Sequence, residues 1–173
     1  MSQLKQIQIA YSPVEDRLLL RINTAEKEEY RFWITRRYLK ILWQAVSGLL
    51  VENPQVRTQL SMTAKQAVLS FQHEKAVSEA DFSKSFDESA QALPLGTAPV
   101  LLARIHTRPG PEGNKIIGMH PESAQGVELA VNDEILHGIS RLVSDAATKA
   151  GWDMEFLKKT GTEVLAAELS SVN

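Results

Sequence analysis

A chain of 173 residues with 43% hydrophobic side chains, 23% charged side chains and a net charge of −2 is long enough to bury one sizeable core. That composition excludes wholesale disorder, collagen-like repeats and coiled coils, and a near-neutral charge leaves nucleic-acid binding to a local patch. The absence of cysteine excludes disulfides, thiolate nucleophiles and cysteine metal sites.

The first ten residues alternate glutamine with isoleucine and lack the apolar run of a secretory signal. No stretch of about 20 apolar residues escapes interruption by charge. The expectation is a soluble, bacterial-type, cytoplasmic protein with no membrane partner. Charge is uneven along the chain, net +3 over residues 1–50, −2 over 51–97 and −3 over 98–173, so the basic side falls on the first third.

Ile7, Ile9 and Tyr11 alternate with polar or small residues, which is the period of a half-buried strand. Ser12, Pro13, Glu15 and Asp16 mark a turn, and Leu18, Leu20 and Ile22 form a second apolar row opposed by Arg17, Leu19, Arg21 and Asn23. The polar run Thr24 to Glu28 turns the chain into a third strand, with Tyr30, Phe32 and Ile34 on one face. That strand meets a helix opened by Thr35 without a linker. Leu39, Leu42, Val46 and Leu49, widened by Tyr38, Ile41, Trp43, Ala45 and Leu50, predict a helix buried on more than one side.

Asn53 and Pro54 end that helix and suit the start of another. Val56, Leu60, Ala64, Ala67 and Phe71 recur at helical spacing and carry it to at least His73. From Val77 to Thr97 serines mix with acids, and Phe82 and Phe86 stand at i, i+4. The segment is either a third amphipathic helix docked by those rings or a mobile acidic connector; phenylalanine is depleted in disordered segments, which favours docking.

Val100 to Thr107 has strand alternation, with Leu101, Ala103 and Ile105 on one face. The prolines and glycines from Pro109 to Gly113 form a hairpin loop, Ile116 to His120 returns, and Val127, Leu129 and Val131 give the last strand. Asn132 caps a helix whose first turn carries Asp133 and Glu134 and which Gly151 stops. Trp152 and Phe156 suggest a further helical turn, and Val164 to Leu169 a small terminal helix.

The fold expected is α+β, with antiparallel sheet or sheets of about six strands in two β-β-β-α units, about 5–52 and 98–150. Helices of about 54–92 join them, and residues 1–173 form one domain. Strands followed by a helix, occurring twice, resembles the plan of some single-strand-binding transcription cofactors in element order.

Four groups carry potential chemistry. Thr35, Arg36 and Arg37 place two guanidinium groups at a helix start, where acids are the usual choice, and would suit an anionic ligand. Arg17, Arg21, Arg31 and Trp33 share the sheet face opposite Tyr30 and Phe32, the mix that stacking on single-stranded bases requires. Phe82, Phe86, Trp152 and Phe156 are aromatic anchors on polar segments and suit a protein partner. His106 and His120 lie on strands joined by one hairpin and form the weak candidate for a metal, although no His-Glu-x-x-His or clustered triad is present.

No nucleophile elbow or phosphate loop appears, and no cofactor is implied. The residues fit a non-catalytic protein-interaction or assembly module, self-association as a homodimer included. Single-stranded nucleic-acid binding is the alternative, and a small-molecule enzyme with a deep pocket around a titratable group is the second.

Overall fold

The computed structural model describes residues 2–153 and 155. The first unit is a meander of β1 (Ser2–Ser12), β2 (Arg17–Thr24) and β3 (Glu29–Ile34), followed by α1 (Arg36–Val51). Its tight turns place Asp16 and Lys27 at positive φ, 45° and 60°. Alternation drives Leu18, Leu20 and Ile22 of β2 and Tyr30, Phe32 and Ile34 of β3 to the inner side, where all are buried. Thr35 Oγ1 accepts from the Tyr38 N–H at 3.1 Å and caps α1. One face of α1, from Tyr38 through Leu39, Leu42 and Val46 to Leu49 and Leu50, then enters the same core.

The helix expected over 54–73 is two helices. A single turn, α2 (Pro54–Arg57), is separated from α3 (Met62–Glu79) by a break at which Ser61 accepts from the Ala64 N–H and caps a new start. The apolar stripe through that region therefore does not stay on one side. Val56 is fully buried, whereas Leu60 and Phe71 are 98% and 68% exposed.

The segment after Glu79 is docked, as the aromatic pair suggests, but it is not helical. Asp81 accepts from the Ser83 N–H and Asp87 from the Ser89 N–H, at 3.0 and 2.9 Å. These local turns compete with a helical backbone for the same groups. Residues 81–97 thus form an extended strap.

The second unit begins with β4 (Val100–Leu101) and continues through β5 (Arg104–Pro109), β6 (Lys115–His120), β7 (Val127–Val131) and α4 (Asp133–Lys149). Asn132 caps α4 through the Ile135 N–H, and Asp133 and Glu134 fill its first turn. Leu102, between β4 and β5, is buried, whereas Leu101 is exposed. The reason is a change of partner. Leu102 N–H donates to Trp33 O on β3 and the next residue, Ala103, donates to His120 O on β6.

That step joins the two ends of the sheet. The sheet is mixed and seven-stranded, in the order β4-β3-β2-β1-β7-β6-β5, where six antiparallel strands were expected. Since β4 and β5 are one run of chain, the strands follow one another in sequence order round a ring. Pairing within each unit is antiparallel, and the two joins between units, β3 with β4 and β7 with β1, are parallel. Equivalent ends thus meet, each unit's last strand beside the other's first.

Both joins are short. Only Ser2 and Gln3 of the eleven-residue β1 pair with β7, and only two residues of β3 pair with β4. Helices fill the space so opened: α4 packs on β1, α1 on β5, and α1 and α4 on each other, with α3 laid across α4. One cluster of buried apolar residues draws on both units. Trp152, reached through Gly151 at φ 64°, fastens the end of α4 to the β1–β2 hairpin, its Nε1–H donating to Asp16 Oδ1. Among the described residues no helix is long and apolar enough to cross a membrane.

Candidate functional site

The outer face of the first unit carries the residues that the sequence marks for nucleic acid. Arg21 and Arg31 are cross-strand partners on β2 and β3. Between them lies Glu29, 2% exposed, whose carboxylate accepts from Arg21 Nε and Arg31 Nε at 2.7 Å each. Burial opposes the charge on Glu29, but the hydrogen bonds from Arg31 and Arg21 outweigh it and hold the carboxyl below its ordinary range. The guanidinium of Arg21 also grips Glu88 of the strap through two hydrogen bonds of 2.7 and 2.6 Å.

The strap covers this face. Gln6 reads its backbone with both ends of its amide, donating to Ser85 O and accepting from the Asp87 N–H, at 2.9 and 2.8 Å. Asn23 donates to Asp87 O at 2.7 Å, and Lys5 pairs with the Asp87 side chain at 2.9 Å. Phe86 is buried with the Arg21 guanidinium 4.1 Å from its ring centroid. Phe82, its expected companion, remains 46% exposed.

Among the described residues no hydrogen bond or ion pair joins Arg17 or Trp33 to the strap. Arg17 is half-exposed, its nearest acid being Glu15 at 3.9 Å. Trp33 is half-buried and stands in a row across the sheet with Leu19 and Leu101. The two arginines at the start of α1 are exposed, and Arg36 sits over the Trp152 ring, 5.3 Å from its centroid. Trp152 is buried within the chain's own core, so its ring is spent on Arg36, Tyr11 and Asp16. Phe156 lies outside the described residues, as does the terminal helix expected at Val164 to Leu169.

On the second unit His106 of β5 and His120 of β6 do meet. Their rings stack at 5.1 Å with an interplanar angle of 12°. Glu128 of β7 joins them, its Oε1 3.2 Å from His106 Nε2, and one ligand atom from each of the three lies within 4.8 Å of the others. A bare Gly118 makes room, since a Cβ there would fall 2.1 Å from the His106 ring. Most of the donor set is nevertheless committed to protein hydrogen bonds, His120 Nε2 having no partner among the described residues. His120 Nδ1 accepts from the Gly126 N–H, which puts the proton of the neutral ring on Nε2, the nitrogen a metal would need bare. Arg108 holds the other oxygen of Glu128 at 2.8 Å. A divalent ion would have to displace these partners.

A second histidine pair forms where the sequence gives no hint of one. His73 of α3 and His137 of α4 approach edge-to-face at 5.4 Å between centroids. His137 is 3% exposed, and neither ring nitrogen has a hydrogen-bond partner among the described residues. Burial, then the neighbouring His73, push its pKa down to about 4. A cavity of about 530 Å³ opens between α1, α3 and α4 beside these rings.

Glu128 and the pairing of His73 with His137 are the site residues that sequence reasoning missed. Glu128 sits on the outward side of the β7 alternation, a signal that needs strand register to be read. His73 and His137 are 64 positions apart on separate helices, and nothing local connects them. No known family model matches this chain, and neither a curated protein nor a solved structure matches it.

Proposed function

We propose that the protein is a non-catalytic interaction module in which the outer face of the first unit binds an extended acidic protein segment carrying a phenylalanine. The observation that carries this reading is the way residues 85–88 are held in cis. Backbone contacts from Gln6 and Asn23, a seat for Phe86 beneath Arg21 and a two-point grip on Glu88 are the elements of peptide recognition. A second copy of the chain carries the same segment, so exchange of straps between two copies is the homodimer this surface favours.

The nucleic-acid alternative draws less support, because Glu29 and Glu88 balance the charges of Arg21 and Arg31. Arg17, Trp33 and the exposed Arg36 and Arg37 at the start of α1 are a small remainder for tracking a phosphate backbone.

The test is fluorescence anisotropy of a labelled peptide with the sequence of residues 83–89. The Phe86→Ala/Glu88→Ala variant, whose own strap is weakened, is expected to bind it at least tenfold more tightly than the unaltered chain. Adding Arg21→Ala to that variant is expected to abolish binding. Equal or absent binding by the strap-weakened and unaltered proteins would sink the proposal. Sedimentation of the unaltered protein over a concentration series separates exchange between copies from binding of another protein.

A further inference from the structure

In an extended chain alternate side chains share one side, and the strap places its two anchors at that spacing. Phe86 and Glu88 both meet Arg21. The guanidinium carbon lies 4.1 Å from the Phe86 ring centroid, and the two terminal nitrogens donate to the Glu88 oxygens at 2.7 and 2.6 Å. Asp87, between them, is held through its backbone. Its N–H donates to Gln6 Oε1 at 2.8 Å and its carbonyl accepts from Asn23 Nδ2 at 2.7 Å, while Gln6 Nε2 donates to the Ser85 carbonyl at 2.9 Å.

These backbone bonds accept any side chain at the middle position except proline, which has no N–H to give. The Asp87 carboxylate does pair with Lys5 at 2.9 Å, but the Lys5 side chain is 52% exposed, and ion pairs in such a setting contribute little. The Arg21 fork is different. Only 14% of its side chain is exposed, and its Nε is held at 2.7 Å by Glu29, which also takes Arg31 Nε. A fixed fork on one side and a fixed backbone track on the other set the reach that the acid must have, and aspartate in place of Glu88 is one methylene short.

On the reading of this face as a peptide site, we propose that it selects the sequence Phe-x-Glu in its partner, x being any residue but proline, and that Arg21 is the residue that specifies both anchors.

Substituted peptides of residues 83–89, titrated by fluorescence anisotropy against the full-length Phe86→Ala/Glu88→Ala variant, separate position from charge. Asp87→Asn and Glu88→Gln each remove one negative charge and keep the side chain's shape. Glu88→Gln is expected to weaken binding about tenfold and Asp87→Asn less than about threefold. Glu88→Asp keeps the charge and Phe86→Leu keeps the apolar bulk, and each is expected to cost about fivefold. Asp87→Pro is expected to cost about tenfold, because Gln6 loses its donor. Equal losses from Asp87→Asn and Glu88→Gln, or undiminished binding of the Glu88→Asp, Phe86→Leu or Asp87→Pro peptide, would overturn the selection of Phe-x-Glu and leave the peptide site standing. Failure of the unsubstituted peptide to bind overturns both.

Discussion

The two units follow one plan of three antiparallel strands and a helix, yet they treat the outward side of their strands differently. On the first unit a strap lies across the face, and Arg21 and Arg31 close on Glu29 and Glu88. On the second, Arg104, His106 and Arg108 stay exposed along β5, with Glu128 as the carboxylate that serves two of them. The inner sides do the same job in both, supplying one core. The repeated plan therefore accounts for the fold, and the candidate functions lie where the units depart from each other.

The largest expected effect tests whether the first face is electrostatically locked. Glu29→Ala leaves two half-buried guanidinium groups together, with only Arg21 still paired, to Glu88, and loss of the carboxylate they share is expected to cost about 3 kcal/mol. Urea unfolding measures it, and adding Arg21→Ala is expected to restore part of the loss. A loss below about 1 kcal/mol would mean that Glu29 is dispensable to the covered face.

The corresponding lock on the second unit is steric. Gly126 approaches β6 so closely that a Cβ would lie 1.8 Å from Met119 O, a backbone atom that cannot swing aside. Gly126→Ala is expected to cost about 3 kcal/mol, the range of severe backbone conflicts, and to speed amide exchange along β6.

Acid acts at the histidines, two of them on the helices α3 and α4 and one on β6. His73, His120 and His137 all have pKa values lowered first by burial, so below pH 6.5 the unfolded chain takes up protons that the native chain does not. Stability is then full above pH 6.5 and falls as pH drops towards 4, by about 3 kcal/mol for His137. The carboxylates held low by arginines, Glu29 and Glu88 among them, contribute to acid loss only below their ordinary range near 4.5. Denaturant midpoints between pH 7 and 5 therefore isolate the histidines, and His137→Phe is expected to flatten that limb.

How far the residues announce this arrangement depends on the range over which each signal acts. The strands through Leu18 to Ile34, the caps at Thr35 and Asn132 and the apolar face of α1 are local, and period and side-chain chemistry suffice for them. The break at Ser61 was written in a capping residue that an apolar stripe overrode. The strap had a signal too, the Asp-x-Ser spacing at Asp81 and Asp87, which two phenylalanines at helical spacing concealed. Ring closure was out of reach. It rests on Leu102 and Ala103 bonding to strands 69 positions back and 17 positions ahead, and a two-residue parallel join leaves no pattern in composition.

The smallest expected effect sharpens the contrast between a locked face and an open one. A Cβ at Gly118 would overlap the His106 ring at 2.1 Å, nominally as severe as the conflict at Gly126. Here the obstacle is the end of an exposed side chain. The ring turns outward into water and gives up its stack on His120 and its contact with Glu128, both near the surface, so Gly118→Ala is expected to cost under about 1 kcal/mol. The clearer readout is the His120 titration. His106 is among the groups that hold the His120 pKa down, and moving it away raises that pKa towards its ordinary value without moving that of His137. A loss as large as that of Gly126→Ala would mean that the outer face of the second unit is packed as rigidly as its core, and the distinction between the two faces would fail.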